Sequence, residues 1–468
     1  MTGVDYGILS PTWAGGQAAE LASDTAFVQA MLDTEAAWVR VQAAAGLCPE
    51  QEAEAVAAVS QAARYDLSEL ASKTPDGANA LIPLLGMMRA QLAADGAPAS
   101  AGRSLHRGAT SQDIIDTALV LVLRRGILAL RENLRTAAQG LAGLALEHRD
   151  TVCIARSLTQ HALPTTFGYK AAAWLSSLLA AERQLGLVAE SLPLQWGGAV
   201  GTLASLDQFL ADHRAEDRTS AALSSALATE LSLHDPQLPW HTNRQPIVQA
   251  GSALAGVIAA LGTFGADVLT ASRPEIAELN EPREAGKGGS SAMPQKQNPV
   301  RSVLLRNAAF SAPGLLSTLF TAAGTAVDER PDGGWHAEWP ALRELLRLAV
   351  GAAEQAAVLA VGLQVNTAAL DRNLRLGGDA VLSERLATVL APVVTGGKPA
   401  IQQLVLRSLS DGVSLRELLR AEIPHDQLTD AQLDNLLDPA GYLGSAIRFT
   451  DAVLADYTNW KESWQSRN

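Results

Sequence analysis

The 468-residue chain predicts an all-α fold with a long central helical bundle, and three observations carry that expectation. Alanine and leucine dominate while aromatic residues make up only 4%, a mixture that loses little side-chain freedom in a helix. Proline-free stretches run from Asp113 to Asp150, Thr165 to Leu192, Ile247 to Arg273, Val300 to Ala312 and Ala341 to Val365. Most of them exceed the usual globular helix length of about 10–14 residues. Strand signals are nearly absent, with little alternation of polar and apolar residues and no Asn-Gly hairpin.

A chain of this length suggests roughly three domains. Residues 1–103 read as a head of short helices. Thr25 to Ala45 is apolar on one face, CPEQEAE opens the next helix, and helical periodicity resumes after the KTPDG turn. Residues 104–355 form the central long-helix bundle. Residues 356–468 shorten again, punctuated by TGGKPA, DGVS and Pro424. No internal repeat interrupts this order. Long Ala- and Leu-rich helices have surface to bury, so an oligomer is expected whose bundle continues across subunits.

Composition excludes several function classes. Hydrophobic residues at 48% and charged residues at 18% exclude disorder. Thirty-six basic against 49 acidic residues give a net charge of −13, which repels phosphate backbones and argues against nucleic-acid binding. An acidic substrate would need a local positive pocket. Cys48 and Cys153 make no disulfide framework, and no Cys/His cluster has zinc spacing, so no metal is expected. The start MTGVDYGILSPTWAGG has neither the basic nor the apolar part of a secretory signal. Ile247 to Ala266 carries no charge over a bilayer-spanning length. It lacks aromatic anchors and flanking bias, so it reads as a helix buried on every face of a bundle. A soluble, cytoplasmic protein without membrane association is expected.

The chemistry is concentrated in Glu281 to Arg301, EPREAGKGGSSAMPQKQNPVR. Three glycines permit backbone shapes that other residues resist. Asn298 and Pro299 form a helix-start signal, so the loop runs into the positive end of a long helix, where free N–H groups favour anions. A phosphate-binding P-loop is excluded, because Glu281 and Gly288 stand where Gly and Ser or Thr are needed. A mobile, solvated linker is the plainer alternative.

GSSAMPQKQNP resembles the GSSxMPxKxNP loop of the fumarase/aspartase superfamily. Three further segments match in register: LHRGATSQDIIDTALV (from Leu105), ARSLTQHALPTTFGYK (from Ala155) and LQWGGAVGTL (from Leu194). The resemblance implies the three-domain fold of that superfamily, with an active site assembled from three subunits of a homotetramer. It implies that Ser290 is the base that removes a proton α to a carboxylate, with Lys296 and Asn298 holding the dianionic intermediate. It also implies that Thr110 and Ser111 bind a substrate carboxylate. Taken alone, TSQD is simply a good N-cap.

Departures from the superfamily pattern narrow the reaction. Leu158 occupies the place of a common histidine, and Asn79 that of a second one in adenylosuccinate lyases. Expelling an amine benefits from a general acid. A carboxylate leaving group, with a conjugate-acid pKa of about 4, needs none. Run backwards, that elimination closes a lactone. The chain resembles the bacterial 3-carboxy-cis,cis-muconate cycloisomerase branch at HRGATSQD, QHALP, PWHTNR (from Pro239) and GWHAEW (from Gly334). The resemblance implies a tricarboxylate substrate in protocatechuate breakdown and no cofactor. Gln160, Arg244, His106 and Arg156 are then candidates to bind its carboxylates, and His161 to orient one or move a proton. His161 and Arg156 have equally good structural readings, as a helix-flanking histidine and an ion-pair residue. Trp335, His336 and Trp339 read as core packing. The rivals are an adenylosuccinate-lyase-like C–N lyase acting on a fumaryl or succinyl substrate, and a non-catalytic scaffold.

Overall fold

A computed structural model describes residues 6–465, except 214–217, 284–285, 287, 290–291 and 294. The chain forms two compact units, Met1–Leu134 with Ala181–Gly262 and Leu304–Gln355, and Arg135–Ala180 with Thr263–Val303 and Ala356–Asn468.

Helix α1, Asp24–Ala44, starts where Ser23 accepts the Ala26 N–H at 3.1 Å, the usual remedy for a free first-turn donor. Helix α2 is Ser111–Glu147. A hairpin follows, β1 at Val152–Ser157 and β2 at Gln160–Thr166, and leads into α3 at Phe167–Glu190. Next come α4 (Gln245–Ala271), the short strand β3 (Leu279–Asn280), α5 (Val300–Gly324) and α6 (Gly333–Gly362). Strand β4, Gln364–Val365, pairs with β3, and helix α7, Thr367–Leu376, follows. Each of α2 to α6 contributes residues to both units.

In the first unit, Met31, Leu32 and Trp38 on α1 are fully buried, as are Leu81, Leu84, Met88, Ile114 and Ile115. The Trp38 and Trp196 rings also meet at a tilt, with centroids 4.7 Å apart. The second unit has its own core of Ile154, Leu382, Leu386, Leu390, Ile401 and Leu419. There Gly140 on α2 lets α6 approach so closely that a Cβ would sit 2.6 Å from the Ala360 carbonyl carbon. No other residue fits such a contact.

Two expectations need correcting. Strand signals are nearly absent from the sequence, yet the segment before α3 is a hairpin. Its two turn residues, Leu158 and Thr159, take φ of 49° and 72°. That is the left-handed turn normally written Asn-Gly, so the usual hairpin signal is missing from the sequence. The proline-free segments also understate two helices, because α5 and α6 continue through Pro313 and Pro340. These helices run 25 and 30 residues despite a local cost of about 3 kcal/mol for each proline. Helices α4, α5 and α6 are long and apolar enough to cross a membrane by length and composition. In α4, 61% of the most apolar window is buried inside the protein.

Candidate active site

Residues 105–111 lead into the positive end of the 37-residue helix α2, in the first unit. What shapes this turn is Asp113, one helical step inside and fully buried. Its Oδ2 accepts the N–H of Thr110 and of Gly198, both at 2.9 Å. Its Oδ1 accepts the Gly197 N–H at 2.9 Å and the Gln195 amide at 3.1 Å, and lies 3.0 Å from His241 Nε2. One carboxylate thus ties the Thr110–Ser111 turn to the WGG loop. A buried carboxylate is tolerable only when its lone pairs are met in this way.

Above that turn stands Arg330, half-buried. Its Nη1 donates to Thr110 Oγ1 and its Nε to Gln112 Oε1 at 3.2 Å. Among the described residues no carboxylate pairs with it. A guanidinium, a hydroxyl and a helix N-terminus in one place favour a carboxylate ligand. Arg330 was not recognised from sequence; it lies in DERPDGG, where a single arginine among acidic and turn residues gives no signal.

His106 takes a left-handed φ of 58°. The carboxylate of Glu35 accepts its backbone N–H at 2.8 Å and lies 2.9 Å from its Nδ1. Asn79, the counterpart of a missing histidine, is spent on its own turn: it accepts the Leu81 N–H at 3.1 Å and donates to Gly77 O at 2.9 Å.

The expectation that Arg244 binds substrate does not fit its surroundings. Its side chain is wholly buried, with Nη1 2.7 Å from Asp116 Oδ2 and Nη2 2.7 Å from Glu338 Oε2. Every guanidinium nitrogen is already donating. Burial opposes the charge, but the two carboxylates outweigh it and hold Arg244 protonated. Burial in turn pushes Glu338 up, against the pull of Arg244, and the neighbouring Asp116 charge adds to the rise. Trp335 completes the cluster by donating Nε1–H to Asp116 at 2.9 Å, and it packs edge-on against Trp339. The core reading therefore fits Trp335, whereas His336 and Trp339 are only half-buried.

In the second unit, Arg156 and His161 face each other across the hairpin. Arg156 grips Glu278 with two hydrogen bonds of 2.6 and 2.9 Å, and Asn373 on α7 donates to the same carboxylate at 2.8 Å. This satisfies the ion-pair reading of Arg156 and leaves it committed. Burial raises the Glu278 pKa, but the Arg156 and Asn373 hydrogen bonds and the Lys170 charge outweigh it and hold the carboxyl below its usual range. His161 is exposed. Its imidazole is pushed below the usual value by partial burial and by the Arg156 and Lys170 charges, against Glu278. Gln160 is exposed beside it, and its side-chain amide donates to Thr159 Oγ1 at 3.1 Å.

Ser290 lies outside the described residues. Around it, the Asn298 N–H donates to Gly288 O at 2.8 Å and the Lys296 N–H to Met293 O at 3.0 Å, and the Lys296 side chain is exposed. The start of α5 was expected to be open to a substrate anion, and this needs correcting. Glu281 accepts the Ser302 N–H at 2.7 Å, the Ser302 hydroxyl at 2.7 Å and the Arg301 N–H at 3.1 Å. The chain's own carboxylate takes the place of an external one. Among the described residues no group of three or more His, Cys, Asp or Glu could hold a metal ion.

Comparison with known proteins places these features. A family model described as Lyase matches residues 10–314. A nitrosuccinate lyase from Streptomyces davaonensis is 43% identical over 457 residues, covering 96% of this chain and 95% of that protein. A 3-carboxy-cis,cis-muconate cycloisomerase from Pseudomonas aeruginosa is 41% identical over 441 residues, covering 93% of each. Among solved structures, the 3-carboxy-cis,cis-muconate lactonizing enzyme from Pseudomonas putida superposes with a TM-score of 0.88 at 36% identity, over 97% of this chain and 100% of that one. The chain belongs to the lyase family, within the fumarase/aspartase superfamily that its loop and helix-start segments resemble.

Proposed function

We propose that the protein is a cycloisomerase that converts 3-carboxy-cis,cis-muconate to 4-carboxymuconolactone, in protocatechuate degradation. The observation that carries this reading is the end-to-end likeness to cycloisomerases in both sequence and structure. The chemistry of the hairpin turn agrees with it. Leu158 and Thr159 offer no side chain that could protonate a departing amine. A carboxylate leaves, or in reverse adds, without a proton of its own.

In the lactonising direction a substrate carboxylate closes on the diene, and Ser290 delivers a proton to the carbon α to a second carboxylate. Lys296 and Asn298 steady the enolate-like dianion formed on the way, which is electrostatic preorganisation. Thr110, Ser111, Arg330 and the α2 N-terminus take one carboxylate, while Gln160 and His161 serve another. The residues come from segments far apart in the chain, which suits a homotetramer with shared active sites.

A second reading has its own support, because a relative at 43% identity is a nitrosuccinate lyase. Cleaving the C–N bond of nitrosuccinate releases nitrite, which is as weak a base as a carboxylate. A leaving group that needs no proton therefore suits both reactions. The test is purified protein with each substrate in parallel, following loss of the conjugated-diene absorbance in one cuvette and nitrite release in the other. Loss of the diene with no nitrite is expected. Nitrite release beside an unchanged diene would replace the first reading with the second.

A further inference from the structure

Glu35 is a fully buried carboxylate in the middle of α1. A strut for the left-handed His106 backbone would need only one of its oxygens, the Oε2 that accepts the His106 N–H at 2.8 Å. The other oxygen, Oε1, lies 2.9 Å from Nδ1 of the imidazole. An ionised carboxylate only accepts, so the ring hydrogen must sit on Nδ1. Neutral His106 is thereby fixed in the tautomer whose Nε2 carries a lone pair. The side chain is 19% exposed, and among the described residues nothing pairs with Nε2.

That tautomer cannot meet a carboxylate, because two acceptors would face each other. We propose that Glu35 is a positioning residue that makes His106 receive a substrate carboxylate only as an imidazolium, so that binding takes up one proton. The imidazolium then lies between two carboxylates, donating Nδ1–H to Glu35 and Nε2–H to the ligand. The other charged groups around the loop already have partners of their own. Arg107 donates to Gln42 and Ser104, Glu52 accepts from Ser104, Arg330 donates to Thr110, and Asp113 holds the backbone. The inference rests on the carboxylate-binding role of this turn proposed above, and not on which bond the enzyme makes or breaks.

Glu35→Gln inverts the arrangement without emptying it. The amide oxygen can keep the His106 N–H, while its NH2 group donates to Nδ1 and moves the ring hydrogen to Nε2. Neutral His106 then donates to a carboxylate directly. The test is calorimetric binding of tricarballylate, a non-reacting tricarboxylate, at pH 8 in buffers of different ionisation enthalpy. Imidazole is ordinarily neutral at that pH, above its usual pKa of about 6.5. The folded wild-type protein is expected to take up about one proton per ligand, and Glu35→Gln and His106→Ala none. Nitrogen-15 shifts of the His106 ring should show Nδ1–H in the wild type and Nε2–H in Glu35→Gln. Equal proton uptake in wild type and Glu35→Gln, an unchanged tautomer, or no tricarballylate binding would overturn the proposal. Absence of muconate turnover would strike the assigned reaction instead, since this test needs no turnover.

Discussion

The start of α2 and the β1–β2 hairpin carry similar side chains, yet they are held in opposite ways. At the helix start almost every polar group is answered from within: Asp113 by five donors, Arg244 by Asp116 and Glu338, and His106 by Glu35. On the hairpin, Arg156 is anchored to Glu278, while Gln160, His161 and Leu158 remain exposed. The first region is a cradle whose donors are fixed before a ligand arrives. The second is an arm with one buried ion pair at its base and free side chains at its tip.

The contrast breaks most visibly at Arg244. Arg244→Met would leave Asp116 and Glu338 buried without their cation, and stability should fall by about 3–5 kcal/mol in urea or thermal unfolding. A loss below about 1 kcal/mol would mean that the helix start is less rigid than its contacts imply. Arg330 probes the same region's ligand face rather than its frame. Arg330→Leu should raise KM about tenfold, the loss of one charge-assisted contact, with the melting temperature nearly unchanged. An unchanged KM would remove Arg330 from the site.

The hairpin should respond to acid at its base. Glu278 titrates below its unfolded value, so its pairing with Arg156 contributes stability above the unfolded carboxylate pKa. That stability is lost as pH falls through the folded pKa. Arg156→Gln should make acid unfolding shallower, measured as stability against pH from 6 down to 3. An identical acid limb would show that the ion pair does not anchor the arm. The smallest effect is expected at the turn. Replacing Leu158-Thr159 with Asn-Gly relieves two left-handed residues and should stabilise the fold by about 1 kcal/mol or less. Destabilisation would show that Leu158 has a partner.

The long helices were legible because alanine, leucine and the absence of proline act locally, residue by residue. The loop and helix-start segments were legible as motifs. The hairpin was not, since Leu158 and Thr159 take a conformation their side chains resist and pairing alone imposes it. Glu35 looks like one more polar residue of a half-apolar helix, and only the fold brings it to His106, 71 positions away. Glu281 stands 21 residues before Ser302, too far for any capping rule to connect them. Arg244 illustrates the reverse case. A motif suggested contact with substrate, and burial between two carboxylates gives it a structural task.

In the proposed reaction the protein protonates carbon while a carboxylate closes on the diene, with Ser290 as the proton carrier. The most direct measurement is the reaction of purified protein with 3-carboxy-cis,cis-muconate in D2O, with the product examined by NMR and Ser290→Ala run beside it. A lactone carrying one deuterium on the carbon α to a carboxylate is expected, and no lactone from Ser290→Ala. An unreacted diene, or a lactone formed equally well by Ser290→Ala, would contradict it.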